Sequence, residues 1–209
     1  PNGVEVPKLP ERTPARQGRR RLLFLSRIHP KKGLPFLLRS WAAIAGSRPD
    51  WELVIAGPDE VRHTAEMQRL AAELEAPRVK WLDAVQGEEK SALYRSADLF
   101  VLPTHAENFG LVVAEALAHG VPVVTTRNAP WDGLERHRCG WWIDLREAAL
   151  EGALREATSH PPAALAEMGA RGRAWMVLEF SWDSVAAQVA EIYRWITSGG
   201  ARPAWISLD

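Results

Sequence analysis

Six short apolar runs alternate with longer segments of helical period, and this alternation constrains the fold of the 209-residue chain more than any other feature. Continuous apolar strands separated by helices are typical of a parallel sheet that helices cover on both faces. The sequence therefore predicts an α/β fold, a Rossmann-like doubly wound parallel sheet of about six strands. The runs are Leu22–Ser26, Glu52–Ala56, Val79–Leu82, Asp98–Leu102, Val121–Thr125 and Gly140–Asp144.

Helical periodicity fills the segments between these runs and continues alone after the last run. Residues 1–20, rich in Pro and Arg and without a period, are predicted to be a linker. Residues 21–198 are expected to form the domain, with C-terminal helices, and residues 199–209 a tail. The predicted helices are Gly33–Ala45, Val61–Glu75, Glu88–Ser96, Ala148–Thr158, Ala163–Glu179 and Trp182–Ser198.

Composition narrows the classes of partner. Lys plus Arg and Asp plus Glu both total 26, so no net charge favours nucleic acid or an anionic membrane as the main partner. The single cysteine, Cys139, excludes an internal disulfide and is consistent with a reducing compartment. No run approaches the roughly 18 apolar residues of a membrane span. We therefore expect a cytoplasmic protein, which would meet any lipid-linked substrate peripherally, at the inner face of the membrane.

The loop after the first run carries a cluster of positive charge. It reads Ser26-Arg27-Ile28-His29-Pro30-Lys31-Lys32-Gly33 and precedes a predicted helix. In a doubly wound sheet, ligands bind at the carboxyl ends of the strands, and a helix N-terminus there supplies free amides for an anion. The cluster is therefore a candidate anion site, although a solvated turn with surface charges explains it equally well.

The loop after the fourth run reads His105-Ala-Glu107-Asn108-Phe109-Gly110-Leu111 and leads into a helix that carries Glu115. Asn108 is the candidate N-cap, so the next three residues would form the first helical turn. A carboxylate among apolar neighbours is costly unless it meets hydrogen-bond donors, such as the vicinal hydroxyls of a ribose. Pairing with an arginine, or a more exposed helix face, would also explain Glu115.

The ordered set of motifs resembles the C-terminal, donor-binding domain of retaining GT-B glycosyltransferases of family 4, also called group 1. Ser26-Arg27 to Lys32-Gly33 is similar to that family's Gly/Ser-Arg-(four residues)-Lys-Gly loop. The segment Glu107-Asn-Phe-Gly-Leu-Val-Val-Ala-Glu115 is similar to its Glu-(seven residues)-Glu motif. Pro1-Asn-Gly-Val4 resembles its interdomain linker, and the resemblance extends to about Asp144.

This resemblance implies a nucleotide-diphosphate sugar as donor substrate and assigns roles to individual residues. The catalytic group would comprise Arg27 and Lys32, which hold the diphosphate, and Glu107, which contacts the sugar hydroxyls. Glu115 would bind the ribose. The base would lie near Asp83, Ala84 and Val85, while sugar and phosphate would lie near Asn108, Phe109, Gly110 and Leu111, with Trp131 shaping specificity.

No Asp-X-Asp triplet occurs in the chain, so we expect neither a metal nor another cofactor. The resemblance also implies a missing N-terminal acceptor domain as partner, without which the chain should not turn over. The predicted function is sugar transfer, with retention, to a saccharide or lipid-linked acceptor in lipopolysaccharide or other surface polysaccharide biosynthesis. The alternatives are a sugar-nucleotide epimerase or phosphorylase and a non-catalytic nucleotide-sugar binding module. A dehydrogenase is excluded because no G-x-G-x-x-G follows the first run.

Overall fold

All six predicted apolar runs form strands of one parallel sheet, in the order β3-β2-β1-β4-β5-β6. The computed structural model describes residues 2–8, 18–199, 202–203 and 206. The predicted fold class is therefore confirmed. The strands are β1 (Arg20–Leu25), β2 (Trp51–Ala56), β3 (Val79–Leu82), β4 (Leu99–Leu102), β5 (Val123–Thr126) and β6 (Gly140–Ile143).

Helices connect consecutive strands and complete the C-terminal part. A 3-10 turn at Pro30–Lys32 precedes the first helix, and a π-helical segment at Met176–Phe180 joins the last two. The helices are α1 (Leu34–Ala45), α2 (Thr64–Glu73), α3 (Gly87–Arg95), α4 (Leu111–Ala118), α5 (Gly133–Arg136), α6 (Glu147–Ser159), α7 (Pro162–Trp175) and α8 (Trp182–Ser198).

The core lies on both faces of the central strands. Every residue of β2, β4 and β5 is buried, whereas the edge strand β3 is half-buried and exposed in alternation. Helix α1 buries Leu34, Leu37, Leu38, Trp41 and Ile44 completely, at a spacing that places them on one stripe. Each such side chain contributes about 2 kcal/mol of hydrophobic stabilisation. Helix α1 packs against α2 and α6, and α4 packs against α7.

The local start of α4 differs from the prediction. Asn108 is not the N-cap; that position is Gly110, in the left-handed conformation at φ 80°, and the helix begins at Leu111. Glycine adopts positive φ without the steric cost that a side chain imposes, and this displaces the start of the helix by two residues. Phe109 and Gly110 thus form a turn before the helix rather than its first turn.

Residues 2–8 lie against the beginning of α8. The Val4 amide donates to Phe180 O at 2.7 Å, and Val4 forms an isolated parallel bridge with Ser181. Gly3 lies so close to the Trp182 ring that a Cβ there would stand 2.5 Å from it. The predicted linker and tail are otherwise largely outside the described residues, which include neither 9–17 nor most of 200–209.

Among the helices that the structure describes, none has both the length and the apolar character needed to cross a membrane.

Candidate functional site

The order of the strands reverses between β1 and β4, and this switch point opens a crevice at their carboxyl ends. The loops that follow these two strands, residues 26–33 and 103–110, border it. They are joined by backbone contacts, since the His105 amide donates to Lys31 O at 2.8 Å and Thr104 Oγ1 donates to the same oxygen at 3.1 Å. The two candidate loops of the sequence therefore form one site.

Gly33 permits this close approach. Its φ is 69°, and a Cβ at this position would lie 1.9 Å from Pro103 O. Any side chain would push the two loops apart, and the positive φ would add strain. The glycine thus sets the spacing between the cationic loop and the loop that carries Glu107.

A cavity of about 660 Å³ occupies the crevice. It brings together seven of the predicted site residues with parts of the chain that are remote in sequence. The predicted residues at its wall are Arg27, Lys32, Glu107, Asn108, Phe109, Gly110 and Leu111. The other lining residues are Asn2, Gly3, His29, Lys31, Ala106 and Trp182.

Lys32 and Glu107 form an ion pair in the cavity wall, with a hydrogen bond from Lys32 Nζ to Glu107 Oε1. Their side chains are only 11% and 12% exposed. A charge in such a position needs a partner, and each of the two residues supplies one for the other. Arg27, in contrast, is more than half exposed and pairs with the equally exposed Glu60 at 3.0 Å.

The N-terminus of α4 adds hydrogen-bond donors to the same wall. Gly110 and Leu111 line the cavity, and Gly110, at the N-cap, has no side chain that could accept hydrogen bonds from the first turn. The first amides of a helix lack intrahelical acceptors and carry partial positive charge, which favours an anion. Cationic side chains and helix amides therefore meet at one end of the cavity.

Trp131 lies beneath this wall rather than in it. Its side chain is buried, its indole Nε1 donates to Phe109 O at 2.5 Å, and its ring packs against the Phe109 ring at 5.1 Å. The predicted donor-binding residue is therefore outside the cavity lining. It supports the turn of Phe109 and Gly110 from below.

Glu115 also lies outside the cavity lining, one helical turn beyond Leu111. Its carboxylate accepts hydrogen bonds from Lys90 Nζ at 2.6 Å and from the Tyr94 hydroxyl at 2.9 Å. An arginine is the partner that the sequence offers as an alternative for Glu115. The structure places a lysine and a tyrosine of α3 there instead.

Asp83, Ala84 and Val85 border two further cavities at the end of β3. Asp83 and Ala84 line one of about 450 Å³, together with Ile28 and residues 57–59. All three line another of about 510 Å³ between the sheet and α3, which Arg21 and Lys80 also border. The Ile28 amide donates to Pro58 O at 2.8 Å, so the 450 Å³ cavity and the site share the loop after β1.

Asn2, Gly3 and Trp182 line the cavity without any signal in the sequence. Asn2 and Gly3 reach the cavity through the contact of the N-terminal segment with Trp182, and the sequence separation of these parts hides that proximity. His29 and Lys31 belong to the cationic loop and follow from it directly. Among the described residues, no group of three His, Cys, Asp or Glu side chains is placed to hold a metal ion.

Fold and cavity together define a Rossmann-like ligand-binding domain whose site suits an anion that also bears hydroxyl groups. The chain belongs to the family described as glycosyl transferases group 1, whose model matches residues 19–160. That match covers all six strands of the sheet and both loops of the site.

Individual relatives agree with this family. A D-inositol 3-phosphate glycosyltransferase of Pseudarthrobacter chlorophenolicus is 35% identical over 179 residues, which are 82% of this chain and 42% of that protein. The chain thus spans less than half the length of this curated relative.

Solved structures share the fold. Sucrose-phosphate synthase from Thermosynechococcus elongatus superposes with a TM-score of 0.73 at 27% identity, over 90% of this chain and 47% of that one. The C-terminal domain of a glycosyl transferase group 1 family protein from Francisella tularensis gives a TM-score of 0.69 at 18% identity. In that comparison, 79% of this chain and 88% of the other are covered.

Proposed function

We propose that the chain is the C-terminal, donor-binding half of a retaining glycosyltransferase. It would bind a nucleoside diphosphate sugar, and the complete enzyme would transfer the sugar to a saccharide or lipid-linked acceptor. The observation that carries this proposal is the buried Lys32–Glu107 pair beside the N-terminus of α4, in the 660 Å³ cavity of the switch point.

The donor diphosphate fits the cationic end of this cavity. Lys32 and the more exposed Arg27 would contact its oxygens, with the amides at the start of α4 beside them. As the bond between sugar and diphosphate breaks, negative charge develops on the leaving group. Fixed positive charges and aligned amides stabilise that charge without the participation of a metal.

The carboxylates fit the hydroxyl groups of the donor. Glu107 lines the cavity next to Lys32, so binding of the diphosphate to Lys32 would release Glu107 to accept hydrogen bonds from the sugar. Glu115, one turn further along α4, would accept from the ribose. Its distance from the cavity lining requires the nucleoside to extend along α4. The base would then reach Asp83 and Ala84 at the 450 Å³ cavity.

The second half of the site would come from a further domain of the same protein. The likeness to an isolated C-terminal domain over 88% of its length supports this division. The relative named above is a D-inositol 3-phosphate glycosyltransferase, so lipopolysaccharide biosynthesis draws no support from it. Retention and the class of acceptor are tested by the product of the full-length enzyme, through the anomeric configuration of its new bond.

Calorimetric titration of this chain with UDP, GDP and ADP tests the donor site. At least one should bind, and Lys32→Ala should weaken that binding about tenfold or more, the usual value of a lost charge-assisted hydrogen bond. Arg27→Ala should have a smaller effect, because Arg27 is exposed and already paired. Arg39→Ala, which breaks a similarly exposed pair with Glu147, is the matched control and should change nothing. Absence of binding for all three nucleotides would overturn the assignment.

A further inference from the structure

Glu115 is held from one side by two donors of the neighbouring helix α3. Lys90 Nζ lies 2.6 Å from Oε1, and the Tyr94 hydroxyl lies 2.9 Å from Oε2. The Glu115 side chain is 19% exposed and so is neither sealed in the core nor free in solvent. An ionised carboxylate offers about four acceptor sites. Two of them therefore remain for a ligand.

Tyr94 is a rigid donor. Its side chain is 1% exposed, and its ring stacks on His119 at 5.0 Å and packs against Phe100 at 5.9 Å. Burial, together with the charge of Glu115, raises the pKa of the Tyr94 hydroxyl well above its usual value, so the group keeps its proton. A protonated hydroxyl next to a carboxylate donates to it and fixes the position of one oxygen.

Lys90 complements this contact with charge. Its side chain is 31% exposed, and its ammonium group pairs with Glu115. A charge-assisted hydrogen bond from an ammonium to a carboxylate is shorter and stronger than one between neutral groups. Lys90 and Tyr94 each hold one oxygen of the Glu115 carboxylate, which limits its rotation and fixes the direction of the acceptor sites that remain.

We propose that Tyr94 and Lys90 are positioning residues for ribose recognition. They orient the Glu115 carboxylate so that its two remaining acceptor sites receive the 2′ and 3′ hydroxyls of the donor nucleoside. This inference rests on the proposed function, because it assumes that Glu115 is the ribose ligand. Neither residue contacts the ribose itself; both act through Glu115.

A comparison of two nucleotides isolates this role. The chain is titrated with the nucleoside diphosphate that it binds and with the 2′,3′-dideoxy form of the same nucleotide. The ratio of the two affinities measures ribose recognition alone. Tyr94→Phe removes only the hydroxyl, and Lys90→Met removes the ammonium group, with its charge and its hydrogen-bond donors, while it keeps an unbranched side chain. Each should lower the ratio about fivefold, the value of one hydrogen bond, whereas Lys90→Arg should retain most of it.

The control is Arg155→Met, because Arg155 pairs with Glu151 at 2.9 Å on the exposed face of α6 and borders none of the three cavities. It should leave the ratio at the wild-type value. Lys90 is partly exposed, so its variant should fold even where Tyr94→Phe loses stability. Thermal unfolding of each variant reports any such loss separately.

The outcomes distinguish the inference from the proposed function. If wild type binds no nucleotide, the donor site fails and the inference fails with it. If wild type prefers the ribonucleotide and Glu115→Gln abolishes the preference, the ribose contact stands. An unchanged ratio in Tyr94→Phe and Lys90→Met would then overturn the inference alone. Equal weakening of both nucleotides in these variants would overturn it too, since that result marks a purely structural contact.

Discussion

Two ion pairs of almost equal burial lie at opposite ends of strand β1 and its loop. The Arg21–Glu52 pair, at the amino end, has side chains that are 11% and 9% exposed, and the Lys32–Glu107 pair, at the carboxyl end, has values of 11% and 12%. Burial therefore does not distinguish a structural pair from a pair that is proposed to bind a ligand. Their surroundings do.

The amino-end pair is tied into several elements. Arg21 and Glu52 are register partners on β1 and β2, and two guanidinium nitrogens of Arg21 donate to Glu52 Oε1 at 3.2 and 3.1 Å. Ser96 accepts from a third nitrogen, and Lys80 contacts the other Glu52 oxygen at 2.7 Å. Such a network has its hydrogen bonds already made and gains little by exchanging partners.

The carboxyl-end pair joins two loops rather than two strands and faces the 660 Å³ cavity. A diphosphate that enters this cavity offers Lys32 an anion of higher charge than Glu107. The pair can therefore exchange, and the residue released is the one that the proposed donor sugar needs. We therefore propose that the Lys32–Glu107 pair at the switch point exchanges partners when a ligand binds. The Arg21–Glu52 pair at the amino edge of the sheet is a structural pair that stabilises the fold.

The largest expected effect comes from breaking the structural Arg21–Glu52 pair. Glu52→Leu should lower the free energy of unfolding by about 3 kcal/mol, because it leaves the buried guanidinium of Arg21 without its carboxylate. Nucleotide affinity of the folded fraction should stay at the wild-type value. Urea unfolding measures the first quantity and calorimetry the second. Glu151→Leu, which removes an exposed i,i+4 pair with Arg155, is the control and should cost less than about 1 kcal/mol.

The second effect concerns the Lys32–Glu107 pair. Lys32→Met should weaken nucleoside diphosphate binding about tenfold, since it removes a charged donor to phosphate. Its cost in unfolding free energy should stay below that of Glu52→Leu, because Glu107 lines a cavity in which water can hydrogen-bond to the carboxylate that remains. A loss of stability as large as that of Glu52→Leu would show that the Lys32–Glu107 pair is a structural pair as well.

The third effect should have the opposite sign, because it strengthens nucleotide binding. Glu107→Gln removes the anion that competes for Lys32, so the affinity for a nucleoside diphosphate without sugar should rise, by about threefold. Glu60→Gln, which releases the exposed Arg27 in the same way, is the matched variant and should have a smaller effect. Weaker binding in Glu107→Gln would contradict the exchange of partners.

The smallest effect is a dependence on pH. Burial raises the pKa of the Glu52 carboxyl, but hydrogen bonds and charge from Lys80 and Arg21 outweigh it and hold the pKa below its usual 4.5. The folded state thus binds fewer protons than the unfolded state, and this contribution to stability is complete above about pH 4.5 and declines as pH falls through the lowered pKa. The difference in unfolding free energy between wild type and Glu52→Gln should therefore shrink below that pH. A difference that stays constant down to pH 3 would contradict this charge balance.

The sequence predicts the sheet well because each strand is a separate apolar run, and the loops of a parallel sheet then follow from its topology. It also predicts that the loops of Lys32 and Glu107 lie at the same edge of the sheet, because both loops follow strands. The direct pairing of the two side chains depends on the adjacency of β1 and β4, which the structure supplies. Periodicity does not detect the four-residue helix α5, because one turn is too short for a pattern.

Other features depend on backbone geometry or on distant contacts. Asn108 is the predicted N-cap of α4 because asparagine is a common cap, but Gly110, in the left-handed conformation, occupies that position. Trp131 follows β5 and was expected to face the donor, yet its indole finds Phe109 O as a buried partner. The place of Trp182 in the cavity wall depends on residues 2–3, almost the whole chain away.

The most direct test of this exchange of partners is a crystal structure of the chain with the nucleoside diphosphate that calorimetry identifies. We predict that the diphosphate lies in the 660 Å³ cavity, within hydrogen-bond distance of Lys32 Nζ. Lys32 should be separated from Glu107, whereas Arg21 should still be bound to Glu52. A diphosphate bound elsewhere, or bound in the cavity while Lys32 remains paired with Glu107, would contradict this prediction.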